Sequence, residues 1–239
     1  MSTISKRIRS LSESQTIAMS QKSAELKSKG KDIINLSVGQ PDFHTPDHIK
    51  EAAIRAIHDN FTSYPPVPGY RDLREAVAKK LQKENHLDYS PEQIIISAGA
   101  KHSLANAMLS LVNKGDEVIV PAPYWVSYPD MVKLASGNPV IVPTLPDNNF
   151  QVTLEQLENC LGPRSKVLII NTPSNPTGLH YSQNELDAIL DWAIKKNLFV
   201  ISDEVYDQLV YPPAKKSTAV KWFESYPENI ALVNGLSKS

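Results

Sequence analysis

Short apolar runs alternate with amphipathic stretches from residue 94 onward. The stretches 102–112 and 182–196 place apolar residues at helical spacing, whereas the runs are only three or four residues long. Strands and helices that alternate in this way form a mainly parallel sheet with helices on both faces, so the pattern predicts an α/β fold. The predicted strands are 94–96, 118–120, 140–142, 167–170, 199–201 and 230–233.

The preceding part of the chain has a different pattern, beginning with about forty mostly polar residues. Spacing and end signals predict helices over 17–29, 46–58 and 71–83 and a short strand over 32–38. The proline-rich run 64–70 is excluded from these helices because proline lacks an amide donor and restricts the residue before it.

Composition and charge narrow the class of protein. The 239 residues are 41% hydrophobic and 21% charged, an ordinary balance for a globular chain. The formal net charge of -1 favours neither nucleic acid nor an anionic membrane as a partner. No apolar stretch has the length of a signal sequence or approaches the ~20 residues of a membrane span, so we expect neither. Cys160 is the only cysteine, which predicts a reducing, cytoplasmic location.

Polar and aromatic side chains follow several of the predicted strands. Ligands of open α/β sheets bind beyond the carboxyl ends of the strands, so these side chains should converge on one crevice. The chain has no Gly-rich nucleotide motif, no hydrolase nucleophile elbow and no His or Cys cluster with metal-ligand spacing. The segments that follow the strands are 97–101, 121–125, 171–178, 202–206 and 234–238.

The order of these motifs resembles the class I aminotransferases that depend on pyridoxal 5'-phosphate (PLP), in particular the bacterial aspartate aminotransferase family. The resemblance covers essentially the whole chain and implies the PLP-dependent transferase fold. Residues 41–239 would form the PLP-binding large domain, incomplete at its C-terminus, and residues 1–40 an N-terminal arm and part of the small domain. The matching residues are Tyr64, Gly99-Ala100-Lys101, Trp125, Asn175-Pro176-Thr177-Gly178, Asp203-Glu204-Val205-Tyr206 and Ser237-Lys238.

The resemblance implies a role for each residue around the cofactor ring. Lys238 would hold PLP covalently and act as general base and acid. Asp203 would pair with the pyridine nitrogen, which tunes the ring as an electron sink. Asn175 and Tyr206 would form hydrogen bonds to the ring's O3' atom, and Trp125 would stack on the ring.

Further residues would bind the phosphate. Gly99, Ala100 and Lys101 would offer backbone amides where a helix begins, which is a favourable place for an anion. Ser237 is a less certain phosphate ligand. Tyr64 resembles the tyrosine that reaches the phosphate in the partner subunit's site, which implies a homodimer.

The resemblance also implies how an amino acid and a 2-oxo acid would bind. Lys101 and Ser14 fall where the bacterial aspartate enzymes hold the distal carboxylate, so we expect aspartate or another acidic amino acid as donor. The backbone of Gly39 would meet the α-carboxylate, and Trp125 and Asn175 would also contact the substrate.

The chain departs from the family pattern near its C-terminal end. It stops one residue after Lys238, whereas the family's phosphate-binding and carboxylate-binding arginines come later, and Gly235 stands where a serine is common. We therefore expect this chain alone to have little or no transaminase activity. Two alternatives stay open, namely a PLP lyase of the same fold and a non-catalytic remnant of the fold.

Overall fold

The computed structural model describes residues 3–11, 15–37 and 39–238. Contacts divide these residues into two compact units. One unit joins the described parts of 1–14 and 98–239, and the other spans 15–97. This division does not coincide with the predicted domain boundary at residue 40, which stays a prediction.

Helices and strands alternate along the chain after residue 98. None of the described helices is long and apolar enough to cross a membrane. The helices are α1 (Lys6–Arg9), α2 (Gln15–Ser28), α3 (Asp47–His58), α4 (Arg71–Asn85), α5 (Ala100–Leu111), α6 (Ser127–Leu134), α7 (Leu154–Cys160), α8 (Gln183–Lys195) and α9 (Val220–Ser225). The strands are β1 (Glu117–Ala122), β2 (Asn138–Pro143), β3 (Ser165–Asn171), β4 (Phe199–Asp203) and β5 (Ile230–Val233).

The five strands form one sheet in the order β2-β1-β3-β4-β5, and every described pair is parallel. Strands β2 and β5 lie at its edges, and β3 lies at its centre. The predicted α/β fold with a mainly parallel sheet is therefore confirmed.

Successive residues of the central strands face opposite sides of the sheet. On β1, Ile119 packs into one hydrophobic core and Val118 into the other. On β3, Leu168 and Val167 repeat this alternation, and all four side chains are fully buried. Helices α7 and α8 cover the first core, whereas α5 and α6 cover the second. Burial on both faces explains why these strands appear in the sequence as continuous apolar runs.

Two helices of the first core begin at reciprocal side-chain caps. Thr153 accepts a hydrogen bond from the amide of Gln156, whose side chain accepts one from the amide of Thr153. Ser182 and Glu185 form the same arrangement at the start of α8. Each pair satisfies amides at the helix boundary and so fixes where α7 and α8 begin.

The unit 15–97 consists of α2, α3 and α4 with their connections. The three helices confirm the helices predicted in this part of the chain, within a few residues at each end. Among the described residues of the unit, only Ala78 on α4 is buried. Arg74 links α4 to its surroundings by donating to the carbonyls of Gly69 and Pro91.

Two strands predicted in this unit are wrong. Residues 94–96 and the described residues 32–37 form no strand. The amide of Ile96 donates instead to the carbonyl of Pro68 at 3.0 Å, and the side chain of Leu36 is 90% exposed. A strand depends on a neighbouring strand for its backbone hydrogen bonds, which an apolar run alone does not provide.

Candidate active site

The carboxyl ends of β3, β4 and β5 lie side by side. Asn171, Asp203 and Val233 are register partners across these three strands. The segments that follow the strands therefore start at one edge of the sheet, where open α/β folds bind their ligands. The predicted site residues at this edge are Asn175, Asp203, Tyr206, Ser237 and Lys238.

Asp203 is fixed at the end of β4, with only 2% of its surface exposed. The phenol of Tyr128 on α6 donates to its Oδ2 atom at 2.6 Å, and the amide of Val205 donates to its Oδ1 atom at 3.2 Å. Burial raises the pKa of Asp203 above its ordinary value, and the two hydrogen bonds act in the opposite direction. The carboxyl group therefore has a defined orientation within a largely dry environment.

A series of side-chain contacts leads from Asp203 to the start of α5. The ring of Trp125 meets the ring of Tyr128 edge-on, with 5.5 Å between centroids and 87° between planes. The Nζ atom of Lys101 lies 4.9 Å from the centroid of the Trp125 ring. The structure thus joins three predicted site residues, Lys101, Trp125 and Asp203, through Tyr128.

Asn175 and Tyr206 form a second group at the same edge. The side-chain amide of Asn175 donates to the hydroxyl of Tyr206 at 3.3 Å. Asn171 supports this group from the end of β3, because its side chain accepts the amide of Asn175 and donates to the carbonyl of Asp203, each at 2.8 Å. Asn171 therefore connects Asn175 to the strand that carries Asp203.

Helix α5 begins beside the segment that follows β5. Gly99 precedes the helix with φ +87°, a conformation that favours glycine. The amides of Ala100 and Lys101 lie in the first turn, where backbone N–H groups have no acceptor inside the helix and attract anions. A methyl group at Gly235 would lie 3.8 Å from Cβ of Ala100 and 3.5 Å from Val205, so the two segments are near neighbours.

The other predicted site residues have different outcomes. Lys238 is half-buried and Ser237 is exposed in the segment after β5. Tyr64 and Gly39 belong to the unit 15–97, where both are exposed. Ser14 lies outside the described residues. The ligand contacts assigned to all the predicted site residues, including these five, stay predictions.

Sequence reasoning missed the roles of Tyr128 and Asn171. Tyr128 lies on the buried face of α6 and has the spacing of a core residue, so nothing in the sequence indicated its bond to Asp203. Asn171 did carry a signal, because it ends β3 as Asp203 ends β4 and neighbouring parallel strands end at the same edge.

A small cleft beside Tyr128 and Asn171 lies at the ends of β1 and β3. Tyr128 and Asn171 contribute to its lining, together with Tyr124, Ser174 and Tyr181. Within residues 3–11, 15–37 and 39–238, no cluster of three His, Cys, Asp or Glu side chains could hold a metal ion.

The parallel α/β fold and the polar groups at one edge of its sheet define a class of protein. Comparison with known families identifies that class. Residues 31–239 match the family described as aminotransferase class I and II, and the chain belongs to this family. The family resemblance of the sequence motifs is therefore confirmed.

Several relatives are aspartate aminotransferases. That of Geobacillus stearothermophilus is 44% identical over 99% of this chain and 60% of the relative. The probable aspartate/prephenate aminotransferase of Rickettsia bellii is 46% identical over 100% of this chain and 60% of the relative. The structure of Thermus thermophilus aspartate aminotransferase with maleate has a TM-score of 0.94 at 40% identity, over 100% of this chain and 61% of that one. The chain spans about 60% of the length of the relatives that it matches.

Proposed function

We propose that this chain carries the PLP site of an aminotransferase, which moves an amino group from an acidic amino acid, aspartate foremost, to a 2-oxo acid. The observation that carries the proposal is the buried carboxyl group of Asp203, oriented by Tyr128 at the carboxyl edge of the sheet. The neighbouring strand, β5, leads directly to Lys238. Membership of the aminotransferase family supports the same reaction class.

The chemistry of the side chains at this edge suits PLP. The carboxylate of Asp203 would pair with the ring nitrogen, and the hydroxyl and amide of Tyr206 and Asn175 would bind the ring oxygen. The flat, half-buried side chain of Trp125 would stack on the ring. The free amides at the start of α5 would bind the phosphate, with Ser237 as a further donor.

Each residue would have a distinct part in the reaction. Bound PLP supplies the electron sink that stabilises negative charge at the substrate Cα atom. Lys238 would hold the cofactor through its Nζ atom and, once released, take the proton from Cα as general base. Asp203 would keep the ring nitrogen protonated by its negative charge. Asn175 and Tyr206 would stabilise negative charge on the ring oxygen.

The preference for an acidic substrate rests on Lys101. Its ammonium group is exposed and lies above Trp125, where it would pair with the distal carboxylate of aspartate. Ser14 would add a hydroxyl donor, and the backbone of Gly39 would meet the α-carboxylate. The names of the relatives support aspartate as the donor. Because we expect little or no turnover from this chain alone, substrate binding tests the preference: aspartate should change the visible absorbance of the PLP-loaded chain at lower concentration than alanine does.

We also propose that the protein is a homodimer in the cytoplasm. The side chain of Tyr64 is fully exposed in the single chain. A residue that reaches into a partner subunit's site must be exposed in this way when the partner is not present. Sedimentation of the wild-type chain should show a dimer, and Tyr64→Phe should weaken PLP binding without changing the dimer. A monomer that binds PLP normally would contradict the shared site.

Titration of the chain with PLP tests the assignment of Asp203. Wild-type chain should bind PLP and develop the visible absorbance of the lysine-bound cofactor, whereas Asp203→Asn should lose most of this affinity. Asp207→Asn is the matched control, because Asp207 is also buried but pairs with Lys216. Equal loss in both variants, with both folded by circular dichroism, would contradict a specific role for Asp203. A folded wild-type chain that binds PLP without forming a bond to Lys238 would favour the non-catalytic remnant.

A further inference from the structure

Tyr128 connects two groups of the candidate site, although it belongs to none of the motifs that carry the family resemblance. Its phenol donates to Asp203, and its ring meets Trp125 edge-on. Only 3% of its surface is exposed, and it packs with α6 against the second hydrophobic core. The surrounding side chains therefore hold the phenol in place.

The hydrogen bond distinguishes the two oxygens of Asp203. Oδ2 accepts the short bond from Tyr128 at 2.6 Å, whereas Oδ1 accepts the longer bond from the amide of Val205 at 3.2 Å. Each carboxylate oxygen has two lone pairs, so Oδ1 can accept a second donor. The phenol thus fixes one oxygen and leaves the other as the acceptor for a ligand N–H group.

We propose that Tyr128 is a positioning residue, which holds the carboxylate of Asp203 and the ring of Trp125 in the orientations that a single planar ligand requires. Oδ1 of Asp203 is the atom that would pair with the ring nitrogen of that ligand. The identity of the ligand as PLP rests on the proposed function, but the effect of Tyr128 on Asp203 does not.

The electrostatic environment of the pair keeps the phenol of Tyr128 protonated, as a donor to Asp203 must be. Burial and the negative charge of Asp203 raise the pKa of Tyr128 well above its ordinary value, so the phenol stays a donor at neutral pH. Its hydrogen bond lowers the pKa of Asp203 and opposes the effect of burial. The other titratable groups nearby are Tyr206, which interacts electrostatically with Tyr128, Glu204, which follows Asp203 directly, and Lys238, in the segment after the paired strand β5.

Carboxyl titration tests this inference without cofactor. The full 239-residue chain would be labelled with ¹³C at the aspartate carboxyl groups and titrated by NMR, with Asp203→Asn to assign the signal. Tyr128→Phe should move the titration midpoint of Asp203 to higher pH. Tyr181→Phe should leave it unchanged, because Tyr181 is equally buried at 3% but its hydroxyl accepts the amide of Val152. Equal midpoints in all three chains would overturn the proposal.

If Tyr128→Phe does not fold, a change to the phenol that preserves packing tests the same hydrogen bond. Incorporation of 3-fluorotyrosine at position 128 makes the phenol more acidic and strengthens its donation. The midpoint of Asp203 should then move to lower pH. An unmoved midpoint would overturn the proposal.

The pH dependence of PLP binding provides the second readout. Tyr128→Phe should weaken binding about tenfold at neutral pH, as expected for loss of one hydrogen bond to a charged group. The loss of binding on acidification should also begin at higher pH than in wild-type chain, whereas Tyr181→Phe should follow the wild type. Uniform weakening at every pH would indicate a structural role only and overturn the proposal. Wild-type chain that binds no PLP would contradict the proposed function, and the carboxyl titration would still decide the role of Tyr128.

Discussion

The sheet unit and the unit 15–97 use apolar residues in different ways. In the sheet unit, side chains from β1, β3 and β4 alternate between two cores that are covered by helices. In the unit 15–97, large apolar side chains such as those of Ile34, Leu36 and Phe43 are 84–90% exposed. The comparison teaches that apolar spacing predicts local conformation, whereas stability depends on whether another element covers the apolar face.

The largest expected effect comes from truncation of a leucine in the sheet. Leu168→Ala on β3 should lower the free energy of unfolding by about 2–5 kcal/mol, because a fully buried side chain leaves a cavity. Leu36→Ala is the matched control in the other unit and should change it by less than about 0.5 kcal/mol. Chemical denaturation measures both. Equal effects would contradict the contrast between the two units.

A pH effect of the next size is expected from Glu204. Burial raises the pKa of this carboxyl group to about 7 from 4.5, so the folded chain binds more protons than the unfolded chain between these values. The free energy of unfolding should therefore fall as pH rises through this window, by up to about 3 kcal/mol, and Glu204→Gln should remove that slope.

The control for Glu204 is an exposed glutamate of the other unit. Hydrogen bonds from Lys29 and Lys22 lower the pKa of Glu25 in the folded chain. Its contribution to the free energy of unfolding is therefore present above the unfolded pKa and is lost only as pH falls through the lower, folded pKa. Glu25→Gln should therefore leave the slope between pH 4.5 and 7 unchanged. Urea denaturation at several pH values measures the slope, and an unchanged slope in Glu204→Gln would show that Glu204 does not cause it.

Asn171 should contribute more to stability and to PLP binding than its partial exposure indicates. Asn171→Ala removes the bonds to Asp203 and Asn175 and should cost about 1–3 kcal/mol of unfolding free energy, with weaker PLP binding. Asn148→Ala also removes a bond to a backbone carbonyl, that of Gln151, but at an exposed site, so its effect should be smaller. Equal losses of PLP affinity in the two variants would show that Asn171 does not support the site.

The smallest effect is expected from the cation above Trp125. Lys101→Met keeps the apolar stem and removes the charge, which should cost about 0.5–1 kcal/mol of unfolding free energy. Lys79→Met, at an exposed position on α4, should have no measurable effect. Thermal denaturation at low salt compares them, and identical midpoints would indicate that the contact with Trp125 contributes nothing.

The sequence predicted the strands of the sheet because each contains a continuous apolar run, which burial on both faces explains for β1, β3 and β4. It could not predict their order, since the pairing of β5 with β4 depends on contacts between distant residues. The sequence also predicted a strand over residues 94–96, because this run of isoleucines resembles the apolar runs of the true strands. Only the lack of a neighbouring strand to pair with distinguishes it.

The sequence indicated some of the side chains that lie at the carboxyl edge of the sheet, such as Asp203 and Asn175, because they belong to recognisable motifs. Tyr128 was not predictable, because its partner lies 75 residues away in the chain and its own spacing is that of a core residue. Asn171 carried a signal through its place at the end of β3, but its two partners become apparent only when β3 lies beside β4. Hydrogen bonds between elements therefore marked the limit of what the sequence could show.

The most direct measurement is to identify the lysine that reacts with PLP. Folded chain would be mixed with PLP, reduced with borohydride and digested, and the modified peptide would be identified by mass spectrometry. We predict that the label lies on Lys238 and that Lys238→Arg abolishes it. A label on another lysine such as Lys101, or no label on a folded chain, would contradict a PLP site at the carboxyl edge of this sheet.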